Sequence, residues 1–391
     1  MERILTIWGF VLPLGFLYNR GSLCLGIRKD VIVVDSANRS IEGWSFSALC
    51  LILLAVVSPA FGEEAQEAEG ETQDTTETTI YTPGIDRALH IMEFDAPSVG
   101  RRMKYIAMLP EGYDDPENAE KRYPVLYLLH GFSQNYTVWP RMGAPFYTAD
   151  YELILVMPDA GNTWYINWAQ SDGDEKNNWE DFIVVDLIQN VDAVFRTITH
   201  RGGRAINGVS MGGFGALALG LRHPGLFCSV ASHSGALSFA RNARLRLEAG
   251  EAPSPSVKPQ VAADDRDAQV PDVIGIPGFT LQWERYPSGI AFTTVEQCKA
   301  YDPFELILQI PVRVLPHIYI DCGMEDNLLP IAQEFAKLLI ELGVPFTYAQ
   351  TPGQHGVRYW TRESEQSIAV QYNIVQRNID RAPPVPDPLA P

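Results

Sequence analysis

The stretch "NGVSMGGFGAL" (207–217) restricts this chain more than any other, because it sets a serine between glycines two positions away on either side, directly after the apolar pair Ala205-Ile206. A G-x-S-x-G run turns the chain from strand to helix so sharply that only small residues fit beside the serine, and Gly208 and Gly212 supply them. Such a turn lifts the Ser210 hydroxyl clear of the sheet. It also aims the N–H of Met211, at the start of the coming helix, toward negative charge developing on a bound carbonyl oxygen. The small-residue run "GFGALALGLRHP" continues as that helix and ends before Pro224.

Around this turn the chain alternates strands with helices. The segments "MKYIAMLP", "YPVLYLLHG", "LILVMPDA", "AINGVS", "FCSVASHSGAL", "VRVLPHIYIDCG" and "PFTYAQTPG" read as strands, and several are continuously apolar, as strands covered on both faces are. The pattern predicts an α/β fold built on a doubly wound, mostly parallel sheet. Residues 238–311, rich in charge, proline and glycine, interrupt it and read as an insertion lying over the active edge of the sheet. A chain of 391 residues is long enough for one such domain plus extra segments.

A serine hydroxyl is a weak nucleophile until a base takes its proton and a third group orients that base. Seven histidines are available, at 90, 130, 200, 223, 233, 317 and 355. Six of them sit in strands, at element ends, or beside the glycine of a strand-end turn, positions that suit structural or exposed roles. His355 differs: "TPGQHGVRYW" puts it in a glycine-flanked loop after the last strand and before a helix, where a histidine following nucleophile and acid in chain order belongs. The acid then comes from "HIYIDCGMEDNLLP", which offers Asp321, Glu325 and Asp326. Asp326 is the preferred candidate, since a loop carboxylate can reach a histidine on the next loop; its alternative role is to cap the helix that follows. A second oxyanion donor has to come from the loop after an early strand, and the amide of Phe132, just past His130-Gly131, has that position.

Over residues 95–375, the segments "YPVLYLLHG", "PDAGNTWYINW", "RAINGVSMGGFGALALGLRHP", "IYIDCGMEDN" and "GQHGVRYW" together resemble the Putative esterase family of α/β hydrolases. That family includes esterase D (S-formylglutathione hydrolase), feruloyl and acetylxylan esterases, enterochelin esterases and the mycobacterial mycolyltransferases. The resemblance implies an α/β-hydrolase fold with Ser210 as nucleophile, His355 as base, Asp326 as the orienting acid, and the Phe132 and Met211 amides as the oxyanion hole. It implies hydrolysis of a carboxylic ester through an acyl-enzyme, with no metal or organic cofactor. Acyl transfer of the mycolyltransferase type differs only in the acceptor, and hydrolysis of S-formylglutathione or of a siderophore ester are further activities within the family. A non-catalytic binding module on this scaffold would be expected to lack a triad member, and here all three residue types are present. The long insertion and the leader depart from the family pattern.

Substrate readings rest on aromatic residues. Trp139, Trp164, Tyr165, Trp168 and Trp179 fall in loops flanking the oxyanion strand and the next one. Of these, Trp164 and Tyr165 are candidate substrate-binding residues, with ring faces suited to stacking on a sugar or an aromatic acid; the alternative is packing within the loops. The expected substrate is an acetyl or feruloyl type ester of a carbohydrate. The formal charge of −18 makes nucleic acid an improbable partner.

Residues 1–62 read as a leader. The apolar stretch 44–62, "WSFSALCLILLAVVSPAFG", follows Arg39 and ends in the small-residue signal Ala60-x-Gly62, so export with removal of the leader is expected; a membrane anchor through 44–62 is the alternative and the one route to a membrane. Residues 63–79 are acidic with no basic residue and read as a solvated, disordered linker. The esterase-like domain then spans 80–381, and 382–391 is a proline-rich tail. Past the leader only Cys228, Cys298 and Cys322 remain, enough for one disulfide and no framework.

Overall fold

Val125 to Leu129 is apolar at every position, and every one of these residues is buried. Val125, Tyr127 and Leu129 enter one core while Leu126 and Leu128 enter another, the two-residue period of a strand with helices on both faces. Burying a Val or Leu side chain in this way contributes about 1.5–3 kcal/mol, so a strand of this composition is secured in the middle of the sheet. A computed structural model describes residues 31–34, 75–81, 88–171, 173, 176–253, 270–271, 280–281 and 289–380. The apolar stretch 44–62, most of the acidic linker and the tail 382–391 lie outside the described residues.

The main sheet comprises β1 (Val31–Val34), β2 (Thr76–Tyr81), β3 (Ala88–Ala96), β4 (Arg101–Met108), β5 (Val125–Leu129), β6 (Ile154–Pro158), β7 (Arg204–Val209), β8 (Ser229–His233), β9 (His317–Gly323) and β10 (Phe346–Thr351). Its order is β1-β10-β9-β8-β7-β5-β6-β4-β3-β2. The six strands from β10 to β6 run parallel, while β4, β3, β2 and β1 join antiparallel at the two sides. The seven strands read from the sequence are β4 to β10, and the α/β-hydrolase architecture is the one observed.

Two expectations about the N-terminal part change. The linker expected over 63–79 gives way to strand at Thr76, because the β-branched run Thr76-Glu77-Thr78-Thr79-Ile80 pairs along β3, register Thr76 with Glu93 through Tyr81 with Ala88. Its exposed side chains suit an edge, and Glu77 is fastened to His90 of β3 at 2.6 Å. The leader expected over 1–62 contributes the short β-branched strand β1, which pairs with β10.

Five helices matter for the site: α1 (Met211–Arg222), α2 (Phe239–Glu248), α3 (Val295–Tyr301), α4 (Leu329–Glu341) and α5 (Val357–Asn378). α1 is buried from Met211 to Leu221 and joins the first core, whereas Tyr359, Trp360, Ile368 and Val375 of α5 join the second. The expected insertion 238–311 is integral at both ends. Phe239 of α2 packs against the core, and Ala291, Phe292, Cys298, Tyr301 and Phe304 are buried in it. Cys228, Cys298 and Cys322 are all free and buried, so the disulfide that the sequence left open is not formed.

Candidate active site

Five loops follow the C-terminal ends of the parallel strands β5, β7, β8, β9 and β10, and these carry Phe132, Ser210, Ser234, Asp326 and His355 respectively. In an open parallel sheet that edge is where ligands bind.

Ser210 has φ 55° and ψ −112°, a strained conformation for a residue with a side chain. The strain is enforced by crowding. A Cβ on Gly208 would lie 2.1 Å from the Gly212 carbonyl oxygen, and one on Gly212 would lie 2.4 Å from that of Leu129. The serine's own N–H donates to the His233 carbonyl at 2.9 Å, and its carbonyl accepts from Ala236 N–H at 3.1 Å.

His355 Nε2 lies 2.9 Å from Ser210 Oγ, and its Nδ1 lies 2.9 Å from Asp326 Oδ2. With the Nδ1 proton donated to the carboxylate, Nε2 is left to accept the serine proton. Trp360 meets the imidazole edge-on at 5.0 Å between ring centres, which fixes the ring plane. Asp326 is buried. Burial works to raise its carboxyl, but hydrogen bonds from His355, from Leu328 N–H at 2.8 Å and from Ser234 outweigh it and hold the group below its ordinary value. The same carboxylate also secures the approach to α4 through Leu328 N–H while it contacts His355.

The other two acids go elsewhere. Asp321 is fully buried beside His233, and Glu325 accepts from Gly353 N–H at 2.5 Å, bracing the loop that leads to His355.

Among the described residues, neither Phe132 N–H nor Met211 N–H is paired with an acceptor, although both flank Ser210. The Phe132 loop packs on Ser210 so closely that a Cβ on Gly131 would lie 3.4 Å from Ser210 Cβ. Its shape is held by Gly131 N–H donating to Gln134 Oε1 at 2.8 Å and Ser133 N–H donating to Asn162 Oδ1 at 2.6 Å. His130 Nε2 accepts from Ala160 N–H at 3.0 Å, which leaves the ring proton on Nδ1, 2.9 Å from the Gly131 carbonyl.

The aromatic expectation is corrected for Tyr165. Its side chain is fully buried and its hydroxyl donates to the His130 carbonyl at 2.8 Å, so it is a loop-fixing residue out of reach of a substrate. Trp139, Trp168 and Trp179 are buried too, each with its indole N–H bonded to the protein. Trp164 alone of the five is partly exposed. It stacks flat on Phe239 at 3.7 Å and stands 6.1 Å from Phe132, a residue that is 44% exposed. Sequence reasoning did not single out Phe239 or Ser234. Phe239 lay in the segment read as an insertion, and the Ser234 contact with Asp326 joins two loops that no local motif connects.

The sequence profile described as "Putative esterase" matches residues 96–365. The chain is 31% identical over 276 residues to Esterase Rv1288 of Mycobacterium tuberculosis (strain ATCC 25618 / H37Rv), a match covering 70% of this chain and 57% of that protein, so the chain spans little more than half the length of that relative. It is 24% identical over 250 residues to the acetyl esterase of Caldicellulosiruptor saccharolyticus, covering 63% of this chain and 81% of that one. The solved structure of an S-formylglutathione hydrolase from Staphylococcus aureus superposes with a TM-score of 0.53 at 19% identity, covering 76% of this chain and 99% of the other.

Proposed function

The chain belongs to the Putative esterase family, and on that premise we propose that it is a serine esterase that hydrolyses carboxylic esters with Ser210 as nucleophile. The observation that carries this reading is the position of His355, 2.9 Å from both Ser210 Oγ and Asp326 Oδ2.

The chemistry follows from the geometry. Ser210 Oγ attacks the ester carbonyl as its proton passes to His355 Nε2, and the carbonyl oxygen takes up negative charge facing the Phe132 and Met211 N–H groups. Collapse of the tetrahedral adduct breaks the bond to the alcohol, which leaves with the proton from His355. Water then repeats the sequence on the acyl-enzyme and releases the acid. Asp326 keeps the imidazole in the tautomer that can accept from serine and balances the imidazolium that forms.

For the substrate, we propose an acetyl or feruloyl type ester of a carbohydrate. The similarity to a protein named acetyl esterase supports the acyl side. The partly exposed Trp164, beside the exposed Phe132, supports a planar or ring-bearing group at the entrance. Export through the leader, read from the apolar stretch 44–62, belongs to the same reading. N-terminal sequencing of the mature protein tests it: a start near residue 63 fits, and an intact 44–62 segment in the membrane fraction contradicts it.

The activity is tested with p-nitrophenyl acetate, p-nitrophenyl butyrate and feruloylated and acetylated sugars, using the parent protein and Ser210→Ala. Hydrolysis that disappears in a folded Ser210→Ala protein is expected. Faster turnover of long-chain lipid esters than of acetyl or feruloyl esters would overturn the substrate assignment and leave the serine mechanism in place.

A further inference from the structure

Beneath the site lies a second set of serine, histidine and aspartate that the mechanism does not use. His233, at the end of β8, and Asp321, beside it in β9, are both fully buried, with Nδ1 and Oδ2 2.6 Å apart. His233 Nε2 lies 2.8 Å from Ser367 Oγ of α5, and Tyr359 of α5 donates its hydroxyl to Asp321 Oδ1 at 3.2 Å. Asn207 of β7 donates to Ser367 Oγ at 3.1 Å and to Gln371 Oε1 at 2.9 Å, and Gln371 Nε2 returns to the Ile206 carbonyl at 2.9 Å. Glu363 of α5 is also buried, with Oε1 bonded to Arg362. Burial raises the Asp321 carboxyl, Glu363 adds to that, and His233 opposes it.

None of these side chains reaches a surface, so Ser367 is no second nucleophile. Stability does not explain the set either, since apolar residues of similar volume in place of a buried ion pair are often as stable or more so. What a buried polar network adds is one fixed arrangement of the elements it joins. Here those elements are the ones behind the triad. Asn207 stands three residues before Ser210. The backbone carbonyl of His233 accepts from Ser210 N–H at 2.9 Å. The carbonyl of Asp321 accepts at 2.8 Å from the N–H of Ser234, whose side chain bonds Asp326. His355 is two residues ahead of α5, the helix that carries Tyr359, Ser367 and Gln371.

We infer that the buried His233–Asp321 pair, with Ser367 and Tyr359, is a positioning unit that holds the helix behind His355 in register with the strands behind Ser210 and Asp326. The inference rests on Ser210 and His355 being the nucleophile and base proposed above. A displacement of about 1 Å between reacting groups can cost up to about a hundredfold in rate, so loosening this network acts on kcat and leaves ground-state binding largely alone.

The test compares the parent enzyme with Ser367→Ala, Tyr359→Phe, Asp321→Asn and the double variant Asp321→Asn/His233→Gln, which restores a neutral hydrogen-bonded pair. Competent sites are counted by titration with a fluorophosphonate, and kcat and KM for p-nitrophenyl acetate are expressed per competent site. Asp321→Asn is expected to lose about tenfold or more in kcat with KM within about twofold, Ser367→Ala and Tyr359→Phe several-fold in the same direction, and the double variant to recover part of the loss. If Asp321→Asn fails to fold, the two isosteric or truncating variants on α5 decide. Unchanged kcat per competent site in those two, with only the melting temperature lowered, would overturn the inference and leave the triad reading intact. A parent enzyme that fluorophosphonate does not label at Ser210 would instead sink the triad reading, and this inference with it.

Discussion

Tyr165 donates its hydroxyl to the carbonyl oxygen of His130 across 2.8 Å, and so ties a turn in which both Trp164 and Tyr165 are left-handed to the strand end that leads into Phe132. The bond lies wholly inside the protein, two residues before Phe132 in the chain. Tyr165→Phe leaves the His130 carbonyl buried without this donor, at a cost of about 1–3 kcal/mol. If the Phe132 N–H is the oxyanion donor proposed above, its loop then loses support, and kcat is expected to fall by about tenfold while KM changes little. Urea unfolding and steady-state kinetics on the same preparation check both halves.

Gly208→Ala and Gly212→Ala should be among the most damaging single substitutions in the chain. Each added methyl meets backbone, at 2.1 Å from the Gly212 carbonyl oxygen or 2.4 Å from that of Leu129, and backbone cannot swing aside as a side chain can. Overpacking of this kind costs about 3 kcal/mol or more, and any protein that folds has a displaced Ser210. Wild-type melting temperature and wild-type turnover in either variant would contradict the close-approach argument.

Asp326→Asn keeps the side-chain shape but replaces the carboxylate that receives the His355 Nδ1 proton. The wrong tautomer then faces Ser210, and turnover is expected to fall by about 10³–10⁴-fold. The amide oxygen still accepts from Leu328 N–H, so the melting temperature should fall only modestly. A large stability loss with turnover reduced in mere proportion would assign Asp326 to capping alone.

A pH dependence of stability follows from His317, which lies between Ser229 Oγ at 3.2 Å and Thr347 Oγ1 at 3.1 Å. Burial lowers it from 6.5 to about 4. A base whose folded pKa is depressed binds its proton more readily in the unfolded chain, so stability is retained above 6.5 and lost as pH falls from 6.5 toward 4. The full effect is about 3 kcal/mol. Urea midpoints at pH 7, 5.5 and 4.5 should decline in the parent protein, and His317→Gln should flatten that decline. An equal decline in both would remove His317 as its source.

The sheet and the site were legible in the sequence to different depths, for physical reasons. β5 and β6 announced themselves because strands covered on both faces are apolar throughout, and the glycines of the elbow did so because no other residue fits. β2 and β3 gave a weak signal: an edge strand whose residues 76–79 are exposed can be composed of Thr and Glu and still pair through its backbone. Tyr165 was misjudged because a ring in a loop near the site looks the same in sequence whether it faces a substrate or turns inward to bond His130. The buried His233–Asp321–Ser367 network joins positions more than 130 residues apart and leaves no local pattern. A fully buried polar set of this kind is recognised only when the elements carrying it are seen side by side.

The most direct test of the central claim is to treat the protein with a fluorophosphonate and locate the adduct by mass spectrometry of its peptides. One adduct is expected, on Ser210, formed in step with loss of p-nitrophenyl acetate hydrolysis and absent from His355→Ala. Full hydrolysis with Ser210 unmodified, or an adduct that settles on another serine, would contradict it.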